Sequence, residues 1–179
     1  MIPIYYIIDQ NELYHHGVKG QKWGVRRYQN PDGSLTSAGK AERGAERKER
    51  RVRHRADKTA FNAGLHAMEA YRKYEKDQDR FNKLKAKEEA GKKVSLKKYQ
   101  RLAKSTLKKE AILQKSLSDI DSSITVLGKS AVEETLLKAA VRNATIEYYD
   151  GTYYSREFKP ERYNQNIKVV DYALNRPRS

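Results

Sequence analysis

Residues 95–127 read SLKKYQRLAKSTLKKEAILQKSLSDIDSSITVL. Tyr99, Leu102, Thr106, Leu113, Leu117, Ile120, Ile124 and Leu127 recur at steps of three, four and seven, close to a heptad, and lysines fill much of the space between. That spacing puts the apolar side chains on one stripe of a helix, the pattern of a helical hairpin or coiled-coil seam. Ser95 stands where a helix cap is expected and Gly128 where a helix stops.

Upstream, residues 38–90 contain no proline. Ala41, Ala45, Val52, Ala56, Ala60, Phe61, Leu65, Met68, Tyr71, Tyr74, Phe81 and Leu84 follow the same periodicity, thinly at first and more heavily after Phe61. Ala90-Gly91-Lys92-Lys93 breaks this helix, and so short a connection favours an antiparallel neighbour. Downstream, Ser130 is the expected cap of a third helix whose buried side is Val132, Leu136, Leu137, Ala140 and Val141. The predicted helices are about 38–90, 95–127 and 130–143.

After Ala144 the composition shifts to ATIEYYDGTYYSREF, where Asp150-Gly151 signals a two-residue type I′ hairpin. Pro160 closes that unit, and IKVVDYAL, residues 167–174, reads as a further strand. IPIYYII, residues 2–8, is β-branched and aromatic, and reads as a strand able to pair with the C-terminal ones. The fold class expected is therefore mainly α. Two or three long amphipathic helices are joined to a small β unit made by the N-terminal strand and a C-terminal hairpin. The corresponding divisions are 1–37, 38–144 and 145–179.

Across 179 residues, apolar side chains make up 37% and charged ones 34%, with 38 basic and 23 acidic residues and a net charge of +15. Stripes this narrow bury little, so self-association or docking on a larger assembly is expected to complete the core. The positive surplus favours a polyanionic partner, and a lysine-rich solvated surface accounts for the same composition. The surplus lies in the helices: residues 36–92 carry +7 and residues 93–144 carry +6. Lys48, Arg51, Arg55 and Lys58 line up as a stripe on the first helix and are the candidate phosphate contacts; a solvated face is the competing reading. The chain has no cysteine, which removes disulfides, thiolate metal sites and cysteine nucleophiles. No apolar run is long enough to span a membrane, and the short N-terminal apolar run lacks the marks of a signal peptide.

Residues 14–39 read YHHGVKGQKWGVRRYQNPDGSLTSAG. Lys19, Lys22, Arg26 and Arg27 interleave with Trp23 and Tyr28. Cations beside aromatics suit phosphate pairing and base stacking, and equally a loop that packs its aromatics and leaves its cations in water. Asn30-Pro31-Asp32-Gly33 is a turn, and Thr36 or Ser37 caps the helix that follows. Chemistry is poorly provided for. His15-His16 is the one histidine cluster, and neighbours in an extended chain point to opposite faces, so no metal or other cofactor is expected. G-x-S-x-G and the phosphate-binding G-x-x-x-x-G-K-[ST] are both missing. An enzyme is not expected; a small basic nuclease with His15 or His16 as general base is the form one would take.

The stretch resembles a short segment found in virion-associated proteins of tailed bacteriophages and prophages. The residues that carry the resemblance are His15, His16, Gly17, Lys19, Gly20, Lys22, Trp23, Gly24, Arg26, Arg27, Tyr28, Gln29, Asn30, Asp32, Gly33, Ser34, Leu35, Thr36 and Gly39. Such segments look like modular tags on otherwise different proteins, often encoded among head and portal genes. Lys40-Ala41-Glu42 departs from the pattern, in which a tyrosine often follows the glycine and basic residues. The resemblance implies a virion structural or morphogenetic protein, present in the host cytoplasm during assembly. Its docking loop would be His15, His16, Lys19, Lys22, Trp23, Arg26, Arg27 and Tyr28. Its partners would be portal, capsid or neck components, further copies of itself, and DNA, with no membrane. The alternatives are a stand-alone nucleic-acid-binding regulator or counter-defence protein, and the nuclease.

Overall fold

The structure, a computed structural model, describes residues 28–30, 32–149 and 151–177. These fall into two compact units, one ending at Arg51 and one beginning at Val52. The expected N-terminal strand lies outside the described residues.

In the first unit, the turn expected from Asn30 to Gly33 forms, with the Gly33 N–H donating to the Asn30 carbonyl at 2.9 Å. Gly33 has φ +84°, a left-handed conformation that glycine adopts without strain. Asp32 Oδ1 accepts from the Ser34 amide at 2.9 Å and the Ser34 hydroxyl at 2.7 Å. The hydroxyl bond first, then the amide bond, holds the Asp32 carboxyl below its usual range. An isolated antiparallel bridge, Gln29 to Leu35, closes the loop. Thr36 is the cap: its Oγ1 accepts the Gly39 N–H at 3.1 Å. Gly39 is buried beneath Tyr28, where an added Cβ would lie 2.5 Å from the Tyr28 carbonyl oxygen. Beyond it, residues 40–51 are exposed, so the apolar face expected to begin at Ala41 and Ala45 does not bury there; alanine alone offers too little area.

The fold is mainly α. α1 spans Ser37–Glu89, α2 Leu96–Leu127, α3 Lys129–Ala144 and α4 Pro160–Asn175. β1 (Thr145–Tyr149) and β2 (Tyr154–Phe158) form a two-stranded antiparallel sheet. α1 ends in a Schellman motif: the Lys92 N–H bonds the Lys87 carbonyl at 3.0 Å and the Gly91 N–H bonds that of Glu88 at 2.9 Å, with Gly91 at φ +74°.

The core of the second unit is built by four helices. Ala60, Ala63, Ala67 and Met68 of α1 pack with Leu117 and Ile120 of α2. Val132, Leu136, Ala139 and Ala140 of α3 and Val169, Val170, Ala173 and Leu174 of α4 complete it. Small residues on α1 permit close approach: a Cβ on Gly64 would lie 2.7 Å from Leu136 Cδ2. The Ser123 hydroxyl donates to the Ala56 carbonyl and Thr135 to Asp57, so polar side chains also join the helices.

Several expectations are corrected. Residues 167–174 form the body of α4 and not a strand. Asn166, Val169, Val170, Ala173 and Leu174 are buried at helical spacing, and Pro160 occupies the first turn, where its missing N–H costs nothing. The C-terminal division is thus hairpin plus helix. β1 and β2 pair as far as Tyr149 and Tyr154, a register that a two-residue turn at 150–151 would not give; Asp150 itself lies outside the described residues. Val52 is exposed, as are Phe81 on α1 and Leu137 and Val141 on α3. On α3, Thr135, Ala139 and Ala144 are buried in their place. Ser95 occupies the cap position of α2 but makes no side-chain cap bond, and Gly128, not Ser130, precedes α3.

Candidate nucleic-acid interface

The second unit holds a basic groove where the end of α1 runs beside the start of α2. Arg80, Lys83 and Lys87 recur along α1 at steps of three and four and so share a face. Lys98 and Arg101 do the same on α2. The five line an open groove of about 510 Å³, with Leu84 and Leu102 in its wall. The Schellman turn reverses the chain so that the two cationic faces meet. Two contacts hold the helices together there. The Tyr99 hydroxyl donates to Glu88 Oε2 at 2.9 Å, and the Phe81 and Tyr99 rings meet edge to face at 5.7 Å.

Among the described residues one carboxylate, Asp77, lines this groove, and it is only 1% exposed. Lys109 of α2 donates to Asp77 Oδ2 and to Ser105 Oγ, and Arg80 approaches Asp77 Oδ1 at 3.3 Å. Burial alone would raise the Asp77 carboxyl. Hydrogen bonds from Lys109 and Ser105, with the charges of Lys109 and Arg80, outweigh it and hold the carboxyl below its usual value. Asp77 therefore stays ionised and is neutralised from α2. Among the described residues no carboxylate lies in ion-pair contact with Lys83, Lys87, Lys98 or Arg101. Cations crowded without acids attract a phosphate chain and release its counterions on binding.

Lys48, Arg51, Arg55 and Lys58 all lie on α1 and all are exposed. Lys48 and Arg51 belong to the first unit, Arg55 and Lys58 to the second. Of the docking-loop residues, Tyr28 is described and half-buried on Gly39. His15, His16, Lys19, Lys22, Trp23, Arg26 and Arg27 lie outside the described residues. His54 and His66 are exposed on α1. Among the described residues no three His, Asp or Glu side chains are grouped to hold a metal ion. No described helix is long and apolar enough to cross a membrane. Sequence reading missed the α1–α2 groove. Its signal was there in residues 80–102, RFNKLKAKEEAGKKVSLKKYQRL, where Arg80, Lys83 and Lys87 precede a glycine break and Lys98 and Arg101 follow it, each set at helical steps.

A family of unknown function, DUF7211, matches residues 8–30. No curated protein and no solved structure matches the chain.

Proposed function

We propose that this chain is a virion-associated structural or morphogenetic protein of a tailed bacteriophage, seated on a larger assembly by its N-terminal loop, with its basic helices toward DNA. The phage part rests on the resemblance of residues 14–39. The family match at residues 8–30 falls on much of the same stretch and on none of the helical body, as a modular tag would. The observation that carries the DNA part is the α1–α2 groove, where, among the described residues, Lys83, Lys87, Lys98 and Arg101 make no ion pair with a carboxylate. Leu107 and Ile112 on α2 and Leu137 and Val141 on α3 are exposed, apolar area that further copies or a portal, capsid or neck component would cover. The protein would then work in the host cytoplasm during assembly and remain in the virion.

Mass spectrometry of gradient-purified particles tests the reading. The protein should co-purify in several copies per particle, and Trp23→Ala should lower its incorporation at equal expression. Absence from particles would remove the virion claim. The groove favours a second reading equally, a stand-alone nucleic-acid-binding regulator. That protein would bind DNA with a steep salt dependence and be missing from particles.

A further inference from the structure

A second depression in the same unit meets the basic groove at the Asp77–Lys109 pair. It is a cleft of about 320 Å³ between α1, α2 and α4. Tyr71 and Tyr74 of α1 and Tyr172 of α4 line it, with Leu113 of α2 and Val169 of α4 also in its wall. Tyr71 and Tyr74 are half-buried, and Tyr172 is 54% exposed. The rings therefore combine a fixed apolar surface with access from solvent. Lys168, Lys109, Gln114 and Glu110 supply the polar part of the lining. Lys109 lines the cleft and reaches Asp77, which lines the groove, so the ion pair is the partition between the two depressions.

A duplex offers its phosphates and shields its base faces. A single strand offers both, and every base has a π-face that stacks on a tyrosine ring. The groove supplies cations for consecutive phosphates. The adjoining cleft supplies aromatic surface on the scale of one base, with a further cation, Lys168, beside it. We propose that the second unit binds single-stranded nucleic acid, with its backbone along Lys83, Lys87, Lys98 and Arg101 and one unpaired base seated among Tyr71, Tyr74 and Tyr172. This rests on the DNA-contacting part of the proposed function and adds the form of the nucleic acid and a base-stacking site. Gln114 and Glu110 lie where a base edge would find a donor and an acceptor. A single amide and a single carboxylate leave sequence preference modest.

Binding of the full chain to labelled oligomers tests this. The probes are a twelve-residue oligothymidylate, an abasic deoxyribose-phosphate oligomer of the same length, and a duplex of equal charge. The oligothymidylate should bind about tenfold or more tightly than the abasic oligomer, the effect of about 1–3 kcal/mol per stacked base. Tyr74→Ala with Tyr172→Ala should erase that difference and leave abasic binding unchanged. Lys98→Glu with Arg101→Glu should weaken both oligomers alike. Tyr74→Phe with Tyr172→Phe keeps the rings and should keep the preference, and circular dichroism of each variant checks that it folds. Equal affinity for the oligothymidylate and the abasic oligomer would overturn the stacking site and leave the phosphate groove intact. Tighter binding of the duplex would overturn the single-strand assignment. No binding to any probe would overturn both this inference and the DNA part of the proposed function.

Discussion

Asp77 and Gly64 show how single residues set the terms for the helices around them. Asp77 sits at 1% exposure on a helix that carries Lys76, Asp79 and Arg80 close beside it. A buried carboxylate survives only when opposite charge and hydrogen bonds repay its lost hydration. Lys109→Met removes the main partner and should destabilise the second unit, toward the low end of the about 3–5 kcal/mol typical of a broken buried pair, because Arg80 remains at 3.3 Å. Lys109→Met with Asp77→Leu should recover most of that loss. The pH dependence follows from the direction of the Asp77 shift. Unfolded, its carboxyl titrates near 3.8; folded, it titrates lower. Its contribution is therefore full above the unfolded value and is lost as pH falls through the folded one. Urea unfolding of wild type and Asp77→Asn should show the wild-type advantage shrinking below about pH 4; an advantage that instead grows on acidification would contradict the assignment. Gly64 matters by what it lacks. Gly64→Val would drive branched carbon into Leu136 and Ala139 and should cost about 1–3 kcal/mol by overpacking, despite valine's better helix propensity.

At the scale of elements, the helices were largely legible and their burial was less so. α2 runs Leu96–Leu127 and α3 Lys129–Ala144, close to the spans read from periodicity and from Gly91 and Gly128. Apolar spacing and a helix-breaking glycine are local signals, and little in the tertiary structure overrides them here. α4 was misread because Ile167, Val169 and Val170 favour strands as isolated residues. Their neighbours decide otherwise: Asn166 reaches the Ala140 carbonyl at 2.9 Å, and Ala173 and Leu174 repeat the stripe one turn later. A buried side-chain bond to another helix cannot be seen from one segment alone. Backbone chemical shifts should be helical across residues 160–175 and extended across 145–149 and 154–158. Extended shifts at 167–174 would restore the strand. On α3, whether Leu137 or Ala139 is buried depends on which face meets α4, and periodicity alone leaves that rotation open. The groove was legible only in part, as cations at helical steps on either side of Gly91. Lys83, Lys87, Lys98 and Arg101 are ordinary surface cations until the Schellman turn sets their faces together.

For the molecule as a whole, charge and hydrophobicity point the same way. A net charge of +15 on 179 residues resists self-collapse, and an anionic partner is what the proposed function supplies to offset it. In the α1–α2 groove Asp77 is already paired with Lys109, and among the described residues Lys83, Lys87, Lys98 and Arg101 make no ion pair, which is the ground for proposing a binding surface there. The positive surplus was visible in the composition, whereas the place where its side chains line a groove needed the hairpin. The most direct measurement is the salt dependence of single-stranded DNA binding by the full chain and by a variant with Lys83, Lys87, Lys98 and Arg101 changed to Ala. The wild-type affinity should fall linearly on a log–log plot. The variant's slope should be shallower by about 0.7 for each phosphate that the variant no longer neutralises, or about 3 if all four cations are engaged. Equal slopes for the two proteins would show that the phosphates are held elsewhere and would contradict the account.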